Sequence, residues 1–194
     1  MKKGPGSTAS PIHEPESTPI TEKEVVEAQK AWGDAIVSMG RAYQNGEDYK
    51  TLALSTVDRL YDYDAGRVLF KPTKASEKQF RLTKEEALSY FVTGIIPEDH
   101  GFALQPWTKV RFENSGIIIN GDSAMAMGNY YFTDAHTGKD VKVEFTFGYH
   151  KDETGGLRIH LHHSSFPYTS TRESFPTPEP IEEPYSELQG ISQM

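Results

Sequence analysis

The chain has 194 residues, 36% of them hydrophobic and 25% charged, with a formal net charge of −8 and no cysteine. That length suits one domain with a substantial core and leaves little room for two. Acidity without a Lys/Arg cluster argues against nucleic acid and against anionic membrane surfaces, since both demand concentrated positive charge. The lack of thiols excludes disulfides, thiolate nucleophiles and thiolate metal ligands.

Residues 1–20 are rich in Ser, Thr and Pro without an apolar period, and we expect a disordered leader there or a remnant foreign to the fold. Met1 to Ser7 contains no apolar signal-peptide core, and no apolar run approaches the roughly 20 residues that span a bilayer. A soluble protein is expected, with plastid and periplasm left open as compartments reached after a targeting peptide is removed. Thr21-x-x-Glu24 has the form of a capping box and opens a helix whose apolar stripe is Val25, Ala28, Trp32, Ile36, Met39 and Tyr43. Asn45-Gly46 ends it. A second helix is predicted over 49–60 with Leu52, Ala53, Thr56 and Leu60 inward. Arg67 to Lys71 reads as a short strand stopped by Pro72, and Thr83-x-x-Glu86 is a second capping box that opens a third helix closing at Gly94.

From there the period is two. Thr108, Val110 and Phe112 alternate with Lys109 and Arg111. Asn120-Gly121 marks a hairpin because both residues tolerate positive φ. Met125 to Thr133 returns, Val141 to Tyr149 alternates again, 152–156 turns, and Leu157 to Ser165 is the last strand. Beyond it, 169–194 carries Pro176, Pro178, Pro180 and Pro184 among glutamates and is expected to be a flexible tail. The five glutamates and one arginine after Tyr168 supply −4 of the −8. The folded unit is therefore placed at 21–168. Its expected class is α+β: a cone formed by a curved antiparallel sheet, with three helices over its concave face and a pocket between the layers.

This element order, with the final strand Gly156-Leu-Arg-Ile-His-Leu-His-His-Ser-Ser-x-Pro167, resembles the nuclear-transport-factor-2-like superfamily and, within it, the calcium/calmodulin-dependent kinase II association-domain group. Phe70-Lys71-Pro72-Thr73, the segment from His100 to Thr108, and His162-His163-Ser164-Ser165-x-Pro167 together resemble the iota-class carbonic anhydrases. That resemblance implies interconversion of carbon dioxide and bicarbonate in a metal-free pocket with no cofactor. It places the catalytic residues at Thr73, Tyr90, His163 and Ser165, while the resemblance to the association-domain group implies a homodimer or larger homo-oligomer formed through the outer sheet face.

The residues can be read independently. Alternation puts Leu161, His163 and Ser165 on one face of the last strand and His160, His162 and Ser164 on the other. Because Leu161 is apolar, its face is expected to be the covered one, with His163 relaying the proton while Tyr90 and Thr73 or Ser165 hold water and substrate. His160 and His162 at i, i+2 could share a zinc ion, but only His150 offers itself as a third ligand, so they are read as surface or interface residues. One of Tyr130 and Tyr131 should line the cone, Tyr131 being able to reach the pocket. Two other functions fit the fold. One is a non-enzymatic association hub with a small-anion pocket. The other is a polyketide-cyclase-like or isomerase-like enzyme, which normally needs a buried carboxylate base that the inward positions do not supply.

Overall fold

The structure is a computed structural model and describes residues 18–169. The expected leader through residue 17 and the tail from residue 170 lie outside the described residues. The elements are helices α1 (Glu22–Gln44), α2 (Tyr49–Leu60) and α3 (Lys84–Val92), and strands β1 (Leu69–Lys71), β2 (Trp107–Asn120), β3 (Ser123–Asp134), β4 (Asp140–Lys151) and β5 (Leu157–Ser165). They form the α+β arrangement expected from the sequence: one five-stranded sheet in the order β1-β5-β4-β3-β2, antiparallel except for β1 on β5. Among the described residues no helix is long and apolar enough to cross a membrane.

Both capping boxes are made. Thr21 and Thr83 accept the N–H of Glu24 and Glu86, and each glutamate reaches back to the cap, satisfying donors that a helix start leaves open. Helix α1 lays Val25, Trp32, Ile36 and Met39 on the inner sheet face, while Tyr43, at the end of its stripe, is half exposed. A reciprocal amide pair fixes its height over the sheet. Gln29 donates to Asn114 at 2.8 Å and Asn114 donates back at 2.8 Å. Asn114 sits where the β2–β3 register shifts, and the facing residue is Gly128, whose added Cβ would meet the Glu113 carbonyl at 2.0 Å. Only glycine allows this close backbone approach.

A second irregularity decides the site. Gly148 pairs with Leu161, but the next residue, Tyr149, pairs with Ile159. One extra residue of β5 is therefore squeezed in at His160–Leu161, a β-bulge. Gly148 makes room for it: a Cβ there would lie 2.9 Å from Leu161 Cβ and 3.1 Å from His160 Nε2. An inserted residue shifts the alternation of everything that follows. Ile159 points inward, and the next inward residues are His162 and Ser164 rather than Leu161, His163 and Ser165.

Candidate active site

The bulge overturns the expected division of the last strand. His163 and Ser165 are on the outer face: His163 is exposed, and the Ser165 hydroxyl donates to Glu144 at 3.1 Å. His162 and Ser164, read as outward from the sequence, are each 2% exposed beneath the helices. The zinc pairing of His160 with His162 fails for the same reason, since the two rings lie on opposite sides of the sheet. His160 packs beside His150 on the outside, and no group of three or more His, Cys, Asp or Glu that could hold a metal exists among the described residues. Of the tyrosine pair, Tyr130 is inside, and Tyr131 is outside beneath the Arg111 guanidinium at 4.2 Å.

Thr73 and Tyr90 are where the sequence reading put them. Thr73 stands in the turn after β1, half buried. Pro72 ends the strand there, and Phe70 pairs with His162 across the parallel β1–β5 edge. Tyr90 projects from the covered face of α3 and stacks on Phe102 with ring centroids 5.4 Å apart. Thr73, Tyr90, Tyr130, His162 and Ser164 then converge, walled by Trp32, Phe70, Phe91 and Phe102, around an inner cavity of about 10 Å³. That is on the order of one water. On the other side of Tyr90 and Phe102 lies an outer chamber of about 400 Å³ that opens to solvent.

The polar groups form one chain. Trp32 Nε1 donates to the Tyr61 hydroxyl at 2.9 Å, and that hydroxyl meets His162 Nδ1 at 2.9 Å. His162 Nε2 is 3.4 Å from the Tyr130 hydroxyl, which bonds Ser164, and Ser164 bonds Thr73. Thr73 is also within hydrogen-bonding reach of Tyr90, whose hydroxyl accepts the Lys74 backbone N–H at 3.4 Å.

Hydrogen-bond satisfaction gives the chain a direction. An indole N–H only donates. With its oxygen occupied by Trp32, Tyr61 satisfies its own buried hydrogen by donating to Nδ1 of His162. The histidine proton is then on Nε2, facing Tyr130. Tyr130 donates to Ser164, Ser164 to Thr73, and Thr73 has its hydrogen left for the Tyr90 oxygen or for a molecule in the cavity. Tyr90, accepting from Lys74, keeps its own hydrogen for the cavity.

Electrostatics hold these protons in place. Burial, assisted by the neighbouring His163, pushes His162 well below the ordinary histidine range, so the ring is neutral. Burial likewise raises the hydroxyls of Tyr61, Tyr90 and Tyr130 far above neutrality. None of these groups changes charge near pH 7. His162 itself is boxed by Phe147 at 4.2 Å, Phe70 at 4.7 Å and Trp32 at 5.4 Å, where an imidazolium would be poorly solvated.

Trp32, Tyr61, Tyr130, His162 and Ser164 were not assigned to the site from sequence. Trp32 looked like a helix-stripe core residue, and Tyr61 follows a helix end with no motif around it. A signal for the last-strand pair was present in Gly148, because an isolated glycine inside an alternating strand marks a bulge.

The family model described as metal-independent carbonic anhydrase matches residues 23–166. The chain belongs to the metal-independent carbonic anhydrase family. A relative named metal-independent carbonic anhydrase, from Nostoc sp. strain PCC 7120, is 47% identical over 154 residues, covering 77% of this chain and 75% of the relative. The solved iota-carbonic anhydrase from a cyanobacterium, complexed with bicarbonate, superposes with a TM-score of 0.76 at 44% identity, covering 84% of this chain and all of that one. A nuclear-transport-factor-2-like protein from Salmonella enterica matches at 15% identity with a TM-score of 0.49, over 79% of this chain and 96% of that one. Like other carbonic anhydrases, this one interconverts carbon dioxide and bicarbonate. In this member, the face of the last strand bearing His162 and Ser164 is the one turned toward Thr73 and Tyr90.

Proposed function

We propose that carbon dioxide is hydrated where the inner cavity meets the outer chamber, with Thr73 and Tyr90 as hydrogen-bond donors to the oxygens that become bicarbonate. The observation that carries this reading is the one-way chain from Trp32 to Thr73. It leaves the Thr73 hydrogen on the cavity side, next to that of Tyr90, which accepts from Lys74, and leaves no internal group free to collect a proton. Carbon dioxide is apolar and suits walls of Phe70, Phe91 and Phe102. As water attacks carbon, an electron pair of one C=O bond moves onto oxygen. Donors already oriented in a dry site stabilise that charge without reorganising. Ser164 and Tyr130 hold Thr73 in its donating rotamer, and His162, kept neutral, transmits the orientation set by Trp32 and Tyr61.

Chemistry built from hydroxyls and a neutral ring needs no metal. Stopped-flow hydration assays in the presence of a strong chelator are expected to give the same kcat as untreated enzyme, within experimental scatter. Loss of activity that zinc restores would refute the mechanism. Absence of hydration in both conditions would favour an anion-binding association hub.

We also propose that the outer sheet face joins two copies of the chain. Met125 and Met127, exposed at 51% and 59%, share that face with Ile118, which pairs with Met125 across β2–β3. Beside them a shallow concavity of about 550 Å³ is lined by Glu144, Thr146, His163 and Ser165. An open sheet face bearing contiguous apolar side chains is better covered than solvated. Light scattering should give a dimer mass for the native chain and a monomer mass for Met127→Glu, in which a charge would have to be buried in the interface. A monomeric native chain would remove this assignment.

A further inference from the structure

The reaction releases a proton, and the inner site cannot keep it. Hydration breaks one O–H bond of water as the C–O bond forms, giving bicarbonate and one proton. The chain from Trp32 cannot accept that proton inward, because it starts at an indole that has no lone pair to take one. The proton must leave past Tyr90 into the outer chamber. At about 400 Å³ the chamber has room for roughly a dozen waters, enough for a wet path to solvent.

The titratable groups facing that chamber are few, and most are committed. Asp99 is clamped by both terminal nitrogens of Arg81, at 2.7 and 2.8 Å. Glu98 accepts the backbone N–H groups of Ser76, Glu77 and Lys78 and the Ser76 hydroxyl, which hold its carboxyl down at about 2. The Lys74 side chain donates to Gln105 at 3.0 Å. Tyr43 and Tyr49 stack edge to face at the rim. One wall residue remains: His100, exposed, in the loop between α3 and β2.

We propose that His100 is the proton-transfer residue of this enzyme, receiving through chamber water the proton released at Thr73 and Tyr90 and passing it to buffer. Histidine suits this role because its unperturbed ionisation falls near neutrality, so it can both take up and discharge a proton during one turnover. His163, the histidine nearest in sequence to the site, is separated from the chamber by the sheet.

The inference rests on the site reading above, and kinetics separate the two. In dilute buffer, His100→Ala should lower kcat for hydration about 100-fold. kcat/KM should fall with it, because the proton leaves as the C–O bond forms and no inner group holds it, and both losses should disappear as buffer concentration rises. Added imidazole should restore kcat. His100→Gln, which keeps a polar side chain of similar size but cannot titrate, should show the same loss and the same rescue. His136→Ala, in the exposed β3–β4 turn, serves as the control and should match the native enzyme. The proposal is overturned if kcat is unchanged in dilute buffer or if imidazole does not restore it. Failure of the underlying site reading would appear elsewhere, as a Ser164→Ala enzyme with full kcat/KM.

Discussion

Ser164→Ala is expected to lower kcat/KM for carbon dioxide hydration by about 100-fold, whereas Ser165→Ala should stay within about twofold of the native enzyme. The two serines are adjacent and chemically identical, and they differ in which side of the sheet they serve. Ser164 links Tyr130 to Thr73. Without its hydroxyl the chain from Trp32 stops at Tyr130, and Thr73 is free to turn its hydrogen away from the cavity. The loss is that of one preorganised donor, for which two to three orders of magnitude is the usual scale. Ser165 loses only a contact with Glu144 on the outer face. Stopped-flow assays of both variants, with thermal melts to confirm folding, decide the matter. If Ser165→Ala proved the damaging change, the chemistry would belong to the outer concavity and the site described above would be wrong.

Arg81→Met is expected to destabilise the fold by about 3–5 kcal/mol. The Arg81 side chain is 0% exposed and so is that of Asp99; the two are joined bidentately, and Glu98 approaches the same guanidinium at 3.4 Å. The backbone is tied in as well. Arg81 N donates to the Phe70 carbonyl at 2.8 Å, and Tyr63 donates to the Arg81 carbonyl at 2.8 Å. Methionine fills much of the volume, so the cost comes mainly from leaving the Asp99 carboxylate buried without its cation. For a chain of this size that corresponds to a fall in melting temperature of about 10 °C. The double variant Arg81→Met/Asp99→Leu removes the stranded charge and should recover part of the loss. Urea unfolding of Arg81→Met, Asp99→Leu and the double variant would sink the argument if Arg81→Met cost under about 1 kcal/mol, or if the double change cost the full sum of the two singles. The same pair borders the reaction site, since the guanidinium lies 5.9 Å from the centre of the Tyr90 ring.

The helices were legible in the sequence because their ends are written locally: Thr21 with Glu24, Thr83 with Glu86, and Asn45-Gly46 each satisfy or release backbone groups within a few residues. The β2–β3 hairpin was legible for the same reason, with Gly121 at φ 61° in its turn. Thr73 and Tyr90 came from resemblance and took up the expected places. The last-strand pair came out on the wrong face because strict alternation from Leu161 takes no account of an inserted residue. The insertion is set by Gly148, on a different strand, so the deciding information lies outside the strand it affects. Tyr61 and Trp32 were illegible as site residues for a related reason. Their roles depend on meeting His162 across the fold, and core packing accounts for an aromatic on a helix stripe equally well.

The bulge in β5 has a consequence for the tetrad His162-His163-Ser164-Ser165. A run of doubled residues laid over a lattice of period two reads the same in either phase: a histidine inward and, two positions on, a serine inward. In an ordinary strand, a slip by one residue exchanges core for surface. Here it would exchange one His-x-Ser for another, so the inner face keeps its chemical alphabet through the most common error a strand can make.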